Sequence, residues 1–396
     1  MELLKGIRVL DLSRYVSGPN CTMILGDLGA DVIKIEHPKT GDGTRRWGMV
    51  GMGMDNPYFL SVNRSKRSVA IDMKHPEGRK LLKELASHSD VMIHNSKAGS
   101  LDAIGLGWDI LHELNPRLVL CEITGYGDTG PNRDRPAFDF PTQAESGLMS
   151  VIGEPDGTPM KVGVPILDVA TSLFACNGIQ AALLHRERTG QGTRISTSLL
   201  ESALACMTNV MSDYLVGGTE PVRWGNGHPN LAPYAAFRGS DGWFTIGVAT
   251  EGQWAKLCDV IGRPDLAVDE RFAVNQSRLA HRDALNSVLQ PEFAKGSREH
   301  WLGRMKASGI PCAPINTVPQ IVEDPQVHAI GIIEKTDHPT LGGIRMVRSP
   351  ISVNREALPI RRPPPTFGQH TEEVLTGLLG LSHEQLENLR AEGAIR

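Results

Sequence analysis

Apolar residues in the first third of the chain fall into two alternating patterns. A continuous run, GIRVLDL at residues 6–12, gives way to helical spacing through NCTMILGDLGA and then to a second run, DVIKIE. Runs of this length suit strands buried on both faces, so their order predicts a β-α-β unit on a parallel sheet. The pattern then repeats. SVAIDM reads as a strand, HPEGRKLLKELASHS as a helix, DVMIHN as a strand, GWDILHELNP as a helix and LVLCEITGYG as a strand closed by a glycine-rich turn. Such alternation predicts a doubly wound α/β domain, whose ligands sit beyond the carboxyl ends of the strands.

From about Ala170 the spacing predicts a long helix through LLHRER, stopped by Gly190 and Gly192. A short strand, TRISTS, and a helix, LLESALACMTNVMSDYLV, follow it. The stretch GGTEPVRWGNGHPNLAP is rich in Gly, Pro and Asn and marks a linker. Beyond it, a strand at GWFTIGVA, helices at GQWAKLCDVIG and SREHWLGRMKASG, and a strand at APINT predict a smaller α/β domain. Past about Asp337 come strand-like pieces, the extended RRPPP stretch and a terminal pair of helices. The expected division is residues 1–222, residues 223–336, and a C-terminal segment of residues 337–396.

Composition narrows the function. The chain has 396 residues, 40% of them hydrophobic and 22% charged, the profile of a globular protein with ample core. A net charge of −4 argues against a nucleic-acid partner, which calls for a basic face. The six cysteines are scattered without metal-site spacing and read as reduced thiols. The start of the chain lacks signal-peptide layout, and the least charged stretch, residues 162–184, contains Pro165, Asp168, Asn177 and Gln180, a poor membrane span. The expected setting is the cytoplasm, with no membrane partner.

Asp168 is the only charged side chain between Lys161 and His185. Removing a carboxylate from water costs several kcal/mol unless a donor or cation offsets it, and a poorly hydrated carboxylate is a better nucleophile toward a thioester carbonyl. The same position also suits the N-cap of a helix starting at about Val169. Position alone leaves both open. The turn GYGDTGP after the fifth strand (Gly125, Tyr126, Gly127) could present backbone N–H groups to a phosphate or an oxyanion. The loop GDGTRRWG places Arg45 and Arg46 just after the second strand, suited to an anionic ligand or to solvent.

The chain resembles the class III CoA-transferases, the superfamily of formyl-CoA transferase, carnitine CoA-transferase and α-methylacyl-CoA racemase. The motifs run nearly end to end: GIRVLDLSRYVSGPNCTMILGDLGADVIKIEHP, SVNRSKRSVAIDMKHPEG, GYGDTGP, FDFPTQAESGLMSVIGEPDGTPMKVGVPILDVATSL, RERTGQG and PPPTFGQHTEEVL. GDGTRRWG together with RWGNGHPNLAPYAAF is most similar to the branch acting on dicarboxylic acids, succinate–hydroxymethylglutarate CoA-transferase among them.

The resemblance implies a large Rossmann-like domain completed by the C-terminal tail, a smaller α/β domain, and an interlocked homodimer. It implies transfer of coenzyme A from an acyl-CoA such as succinyl-CoA to a free carboxylic acid, a dicarboxylate, with no metal and no nicotinamide. Asp168 matches the family's nucleophile, which carries aspartyl anhydride and aspartyl-CoA thioester intermediates. Asp139 falls where formyl-CoA transferase has a glutamate near the reacting centre, and Val16 replaces an assisting glutamine, leaving the oxyanion donors unidentified. For coenzyme A, the matching positions are His37, Asn95, the segment of Ile71, Asp72 and Lys74, and Arg45 toward the phosphates. Arg46, Arg223 and His228 are candidates by type for a second carboxylate.

Racemisation of an acyl-CoA is the nearest alternative; it needs an acid and a base on opposite faces of the substrate, and no histidine occurs between Gly125 and Lys161. A nicotinamide dehydrogenase would need the glycine fingerprint that SRYVSGPN lacks. A non-catalytic CoA-binding protein is the third reading.

Overall fold

The computed structural model describes residues 2–48 and 53–396. Six strands, β1 (Arg8–Asp11), β2 (Asp31–Glu36), β3 (Lys66–Ala70), β4 (Val91–His94), β5 (Val119–Thr124) and β6 (Arg194–Ser198), form one sheet in the order β3-β2-β1-β4-β5-β6. Every pairing is parallel, with Leu10 opposite Ile33 on one side and Met92 on the other. The order reverses between β1 and β4, so the loops leaving these two strands open a crevice where such sheets bind ligands.

The helices of this unit include α1 (Ser17–Asp27), α2 (Pro57–Ser61), α3 (Pro76–Ser87), α4 (Trp108–Leu114), α5 (Asp139–Glu145), α6 (Ile166–Thr189) and α7 (Leu199–Cys206). Strand residues alternate between the sheet's two faces. Val9, Val32, Val91 and Cys121 pack against Cys21 and Leu25 of α1 and Ala175, Cys176 and Ile179 of α6. Leu10, Ile33, Met92 and Leu120 meet α3, α4 and the C-terminal tail, which supplies Val374, Leu375, Leu386 and Ile395. The tail returns to this sheet, with Ile395 bridged to Ile71. Helix α6 has the length and hydropathy of a membrane span; here it is the core helix of the sheet, carrying Asp168 in its first turn.

The helix begins four residues before the expected Ala170, at Ile166. Gly190 ends it with φ +77°, a left-handed conformation that a side chain would disfavour. The single helix expected after β6 is two, Leu199–Cys206 and Thr208–Leu215, separated by Met207, with the second opening at Thr208 at φ +26°.

The chain folds into two compact units, one of residues 1–148, 162–217 and 326–396, the other of residues 149–161 and 218–325. The expected boundaries at 222 and 336 thus fall at 217 and 325, and an excursion of 13 residues, Met149–Lys161, joins the second unit. That unit has a three-stranded antiparallel sheet, β7 (Tyr234–Gly239), β8 (Gly242–Gly247) and β9 (Cys312–Pro314). Helices Glu251–Ile261, Arg282–Ala294 and Arg298–Ala307 bury Trp254, Phe293 and Trp301 against Phe237 and Phe244.

Candidate active site

The loop from β1 to α1 is built on a buried charge cluster. Asp11, fully buried, accepts from the backbone N–H of Ser13 at 2.9 Å, the Ser13 hydroxyl, the Thr22 hydroxyl at 2.6 Å and Lys66 Nζ at 3.2 Å. Lys34, also fully buried, donates to the Ser13 carbonyl at 3.0 Å and pairs with Asp42 at 2.9 Å. Burial works against both charges of the Asp11–Lys66 pair, but the lysines hold the Asp11 carboxyl below its ordinary range. Burial brings Lys66 down to about 8 against the pull of Asp11. The loop is also tied to β4. Asn95 Oδ1 accepts from Arg14 N at 2.8 Å, and Asn95 Nδ2 donates to the Arg14 carbonyl at 2.6 Å and to Ser17 Oγ at 3.3 Å.

Two carboxylates and two helix N-termini meet beside this loop. Asp168 is the third residue of α6 rather than its N-cap. The cap comes from Asp139, 28 and 29 residues upstream, whose Oδ2 accepts from Leu167 N at 2.7 Å and Asp168 N at 3.2 Å. Asp139 Oδ1 accepts from Gln143 Nε2 at 2.5 Å. The Asp168 carboxyl is also influenced by Ser17, the first residue of α1, which favours its ionised form. The first N–H groups of a helix lack intrahelical acceptors, so α1 offers unpaired donors and a positive dipole end. Burial first, then the charge of Asp139, lifts Asp168 to about 7, with Ser17 opposing the rise.

Aromatic rings stand near these groups. Tyr15, at φ +67°, stacks on Trp47 at 5.0 Å between centroids and meets the edge of Phe138 at 5.7 Å; Trp47 in turn meets Tyr58 at 5.6 Å. The Tyr58 phenol is pushed up by burial and then by the charges of Asp168 and Asp139. Sequence reading passed over Ser17, Tyr15, Trp47, Tyr58 and Phe138. YVSG, NPYF and AFDF carry no pattern that singles these residues out, and in RRWG the arginines rather than Trp47 point to a ligand.

Several expected coenzyme A positions gather at the carboxyl ends of β2 and β3. His37 Nε2 lies 3.8 Å from Asp72 Oδ2, and Asp72 Oδ1 accepts from Lys74 N at 2.8 Å. Ile71 is buried in the core beneath them. Asn95 uses its amide on Arg14 and Ser17. Val16 is buried as the residue before α1, its carbonyl accepting from Asn20 N at 2.8 Å. In the turn after β5, a Cβ on Gly125 would lie 2.2 Å from that of Ala137, so only glycine fits. Gly127 N donates to Thr124 Oγ1 at 3.0 Å. Tyr126 lies under the Arg135 guanidinium at 4.8 Å, and its phenol is pushed up by burial first and then by Glu145.

Two expected ligand arginines are committed elsewhere. Arg45 is fully buried, forked onto Glu36 at 2.7 and 2.8 Å, bonded to the carbonyls of Met54 and Pro365, and lies 3.5 Å over the Phe59 ring. It has no face left for a phosphate. Arg223, in the second unit, gives its guanidinium to the carbonyls of Glu154, Pro155 and Gly157. Arg46 is exposed, with one bond to the Thr40 carbonyl at 3.2 Å. The second unit also encloses a cavity of about 910 Å³ walled by Trp224, Tyr234 and Trp243. There Arg282, missed in the sequence, lies 4.7 Å over the Trp224 ring and donates to the carbonyls of His228 at 2.7 Å and Pro229 at 3.3 Å. The His228 ring sits 5.2 Å from Tyr234.

A parallel sheet in this order, with a partly buried carboxylate at its crevice, fits a CoA-transferase, and comparison with known proteins agrees. The model of CoA-transferase family III matches residues 4–371, and the chain belongs to that family. It is 40% identical over 395 residues to the succinyl-CoA:glutarate CoA-transferase of Mus musculus, covering 100% of this chain and 91% of that protein. A succinate–glutarate CoA-transferase of Agrobacterium fabrum is 39% identical, with 95% of each chain covered. Among solved structures, a CAIB/BAIF family protein from Brucella suis superposes with a TM-score of 0.86 at 39% identity, over 95% of this chain and 99% of that one. The protein is an enzyme of the class III CoA-transferases, with coenzyme A carried in its substrate and product thioesters.

Proposed function

We propose that the enzyme transfers coenzyme A from succinyl-CoA to a dicarboxylic acid, with glutarate the first acceptor to test, through covalent intermediates on Asp168. The observation that carries the reading is Asp168 itself, a carboxylate raised to about 7 by burial and the charge of Asp139, at a helix N-terminus in the crevice of the sheet. The names of the relatives support the donor and the acceptor class.

In the proposed sequence, an Asp168 oxygen attacks the thioester carbon, the C–S bond breaks, and coenzyme A leaves as the thiolate. The thiolate attacks Asp168 Cγ in the resulting anhydride; the C–O bond breaks, succinate departs, and an aspartyl-CoA thioester remains. The acceptor carboxylate then attacks Cγ and expels the thiolate, which attacks the acyl carbon of the second anhydride and frees Asp168. Fixed positions on α6 and α1 let one carboxylate act as nucleophile and leaving group in turn.

His37, Asp72, Lys74 and the turn at Gly125–Gly127 are the proposed coenzyme A contacts, while Arg46 is the candidate for the acceptor's second carboxylate. An interlocked homodimer is proposed as the working form, supported by exposed Leu173, Phe174 and Leu184 on α6 and by Leu215 and Val216, which are 71% and 85% exposed.

The test is incubation with succinyl-CoA and a panel of mono- and dicarboxylic acids, following new thioesters by mass. Glutaryl-CoA or another dicarboxylyl-CoA, formed with one equivalent of succinate, is expected. Exchange of the acyl α-proton with solvent deuterium and no new thioester would favour racemisation and sink the reading.

A further inference from the structure

We propose that the protein carries a second anion site, for a phosphate-bearing ligand of about diphosphate size, in an arginine-lined cavity at the amino ends of β1, β2 and β3. The site lies at the opposite end of these strands from the catalytic crevice and does not depend on the reading of Asp168.

Arg8 opens β1, Asp31 opens β2 and Arg67 follows the first residue of β3, so the parallel pairing brings all three to the edge where the strands begin. The C-terminal segment closes the other side with Arg361, Arg362 and Glu373, the last on the tail helix Thr371–Leu379. These walls surround a cavity of about 450 Å³, the size of a small-molecule pocket. Four arginines there face two carboxylates, in a chain whose net charge is −4. Positive charge gathered in a cleft against the overall sign draws anions to that cleft.

The hydrogen bonds show which of these charges are already met. Asp31 accepts from Arg8 Nε at 3.2 Å and from Arg67 Nε and Nη2 at 3.0 and 2.6 Å, while Glu373 takes Arg67 Nη1 at 3.0 Å. Arg361 pairs with Glu2 at 2.6 Å and donates to the carbonyls of Gly26 and Ala30 at 3.0 and 3.1 Å. Arg362 differs. Its carbonyl accepts from Ser65 N at 3.0 Å, but its guanidinium has no acceptor among the described residues. Even with Glu2 counted, one cation at this cavity stays unmatched. A guanidinium offers five N–H donors in a planar fork that fits phosphate oxygens. The Ser65 bond holds the Arg362 backbone in place, and Pro363 confines it to extended conformations, so little freedom remains to be lost on binding. Arg8 bonds through Nε and through Nη1, which donates to the His88 carbonyl at 2.8 Å, and keeps Nη2 for a second ligand oxygen. A bound phosphate would therefore tie the C-terminal segment to the first strand.

The test is isothermal titration of the whole enzyme with pyrophosphate while coenzyme A is saturating, so that the coenzyme's own phosphate contacts are occupied. One pyrophosphate per chain should bind, more weakly as salt is raised, and should raise the melting temperature. Arg362→Gln should bind it roughly ten- to hundredfold more weakly, the loss expected when hydrogen bonds to a charged group are removed, and should lose the thermal shift. Its rate of coenzyme A transfer should match the wild type. Arg362→Lys keeps the charge without the fork and should bind more weakly than wild type. Parallel titrations distinguish the source of the phosphate: ADP binding at least as tightly as pyrophosphate marks a nucleotide, and a preference for pyrophosphate marks a free phosphate species. Glutarate binding as tightly as pyrophosphate would make this a carboxylate site and overturn the assignment. No binding while coenzyme A is present, or unchanged affinity in Arg362→Gln, overturns the site itself. If Arg362→Gln fails to fold, Arg362→Lys takes its place, and wild-type affinity there is equally adverse.

Discussion

Asp168 and Asp139 divide the tasks that the sequence could have given to one residue. A lone acid in an apolar stretch reads as cap or as nucleophile. Asp139 takes the cap, through bonds to Leu167 N and Asp168 N, and leaves the Asp168 carboxylate free of that task. The cap lies 28 residues from Leu167, whose N–H it accepts, beyond any local pattern, whereas the isolation of Asp168 was legible in the chain. The pH dependence follows. The nucleophile must be ionised, so activity should rise with pH through about 7 and then level off. Asp139→Asn keeps an oxygen for the cap and removes the like charge, so its rising limb should move to lower pH in stopped-flow or steady-state profiles. It should still lie above an ordinary carboxylate, because burial is the larger cause. Asp139→Ala loses the cap as well and should cost about 1 kcal/mol of stability by urea titration.

Strands and helices of the first unit were legible because continuous apolar runs and helical spacing alternate cleanly, and β1 to β6 fall on the expected segments. Charged residues within those strands were not. Lys34 and Glu36 in DVIKIE and Lys66 at the start of β3 look like surface positions, yet all three are buried and paired with Asp42, Arg45 and Asp11. Arg45 illustrates the same limit: arginines on a glycine-flanked loop suit a phosphate, and only the fold shows Glu36 beneath. Arg45→Met leaves the Glu36 carboxylate without its cation and should destabilise the enzyme by about 3–5 kcal/mol in urea. Whatever remains folded should keep its KM for succinyl-CoA. A stable variant with a sharply raised KM would return Arg45 to the ligand.

At the scale of the whole molecule, the return of the C-terminal tail was expected from resemblance, and its physical basis is the burial of Val374, Leu375, Leu386 and Ile395 on the first sheet. The excursion at Met149–Lys161 was not foreseen, because SVIGEPDGTPMK reads as an ordinary loop and nothing local assigns a loop to a distant unit. Deleting residues 364–396 should therefore expose one face of the sheet and give insoluble or molten protein, seen as loss of near-ultraviolet dichroism. The measurement that bears most directly on the central claim is peptide mass analysis after incubation with succinyl-CoA and quenching with hydroxylamine or borohydride. A covalent change on Asp168, lost together with transfer in Asp168→Ala, is the expected result. An unmodified Asp168 in an enzyme that still transfers coenzyme A, or full transfer by Asp168→Ala, would contradict it.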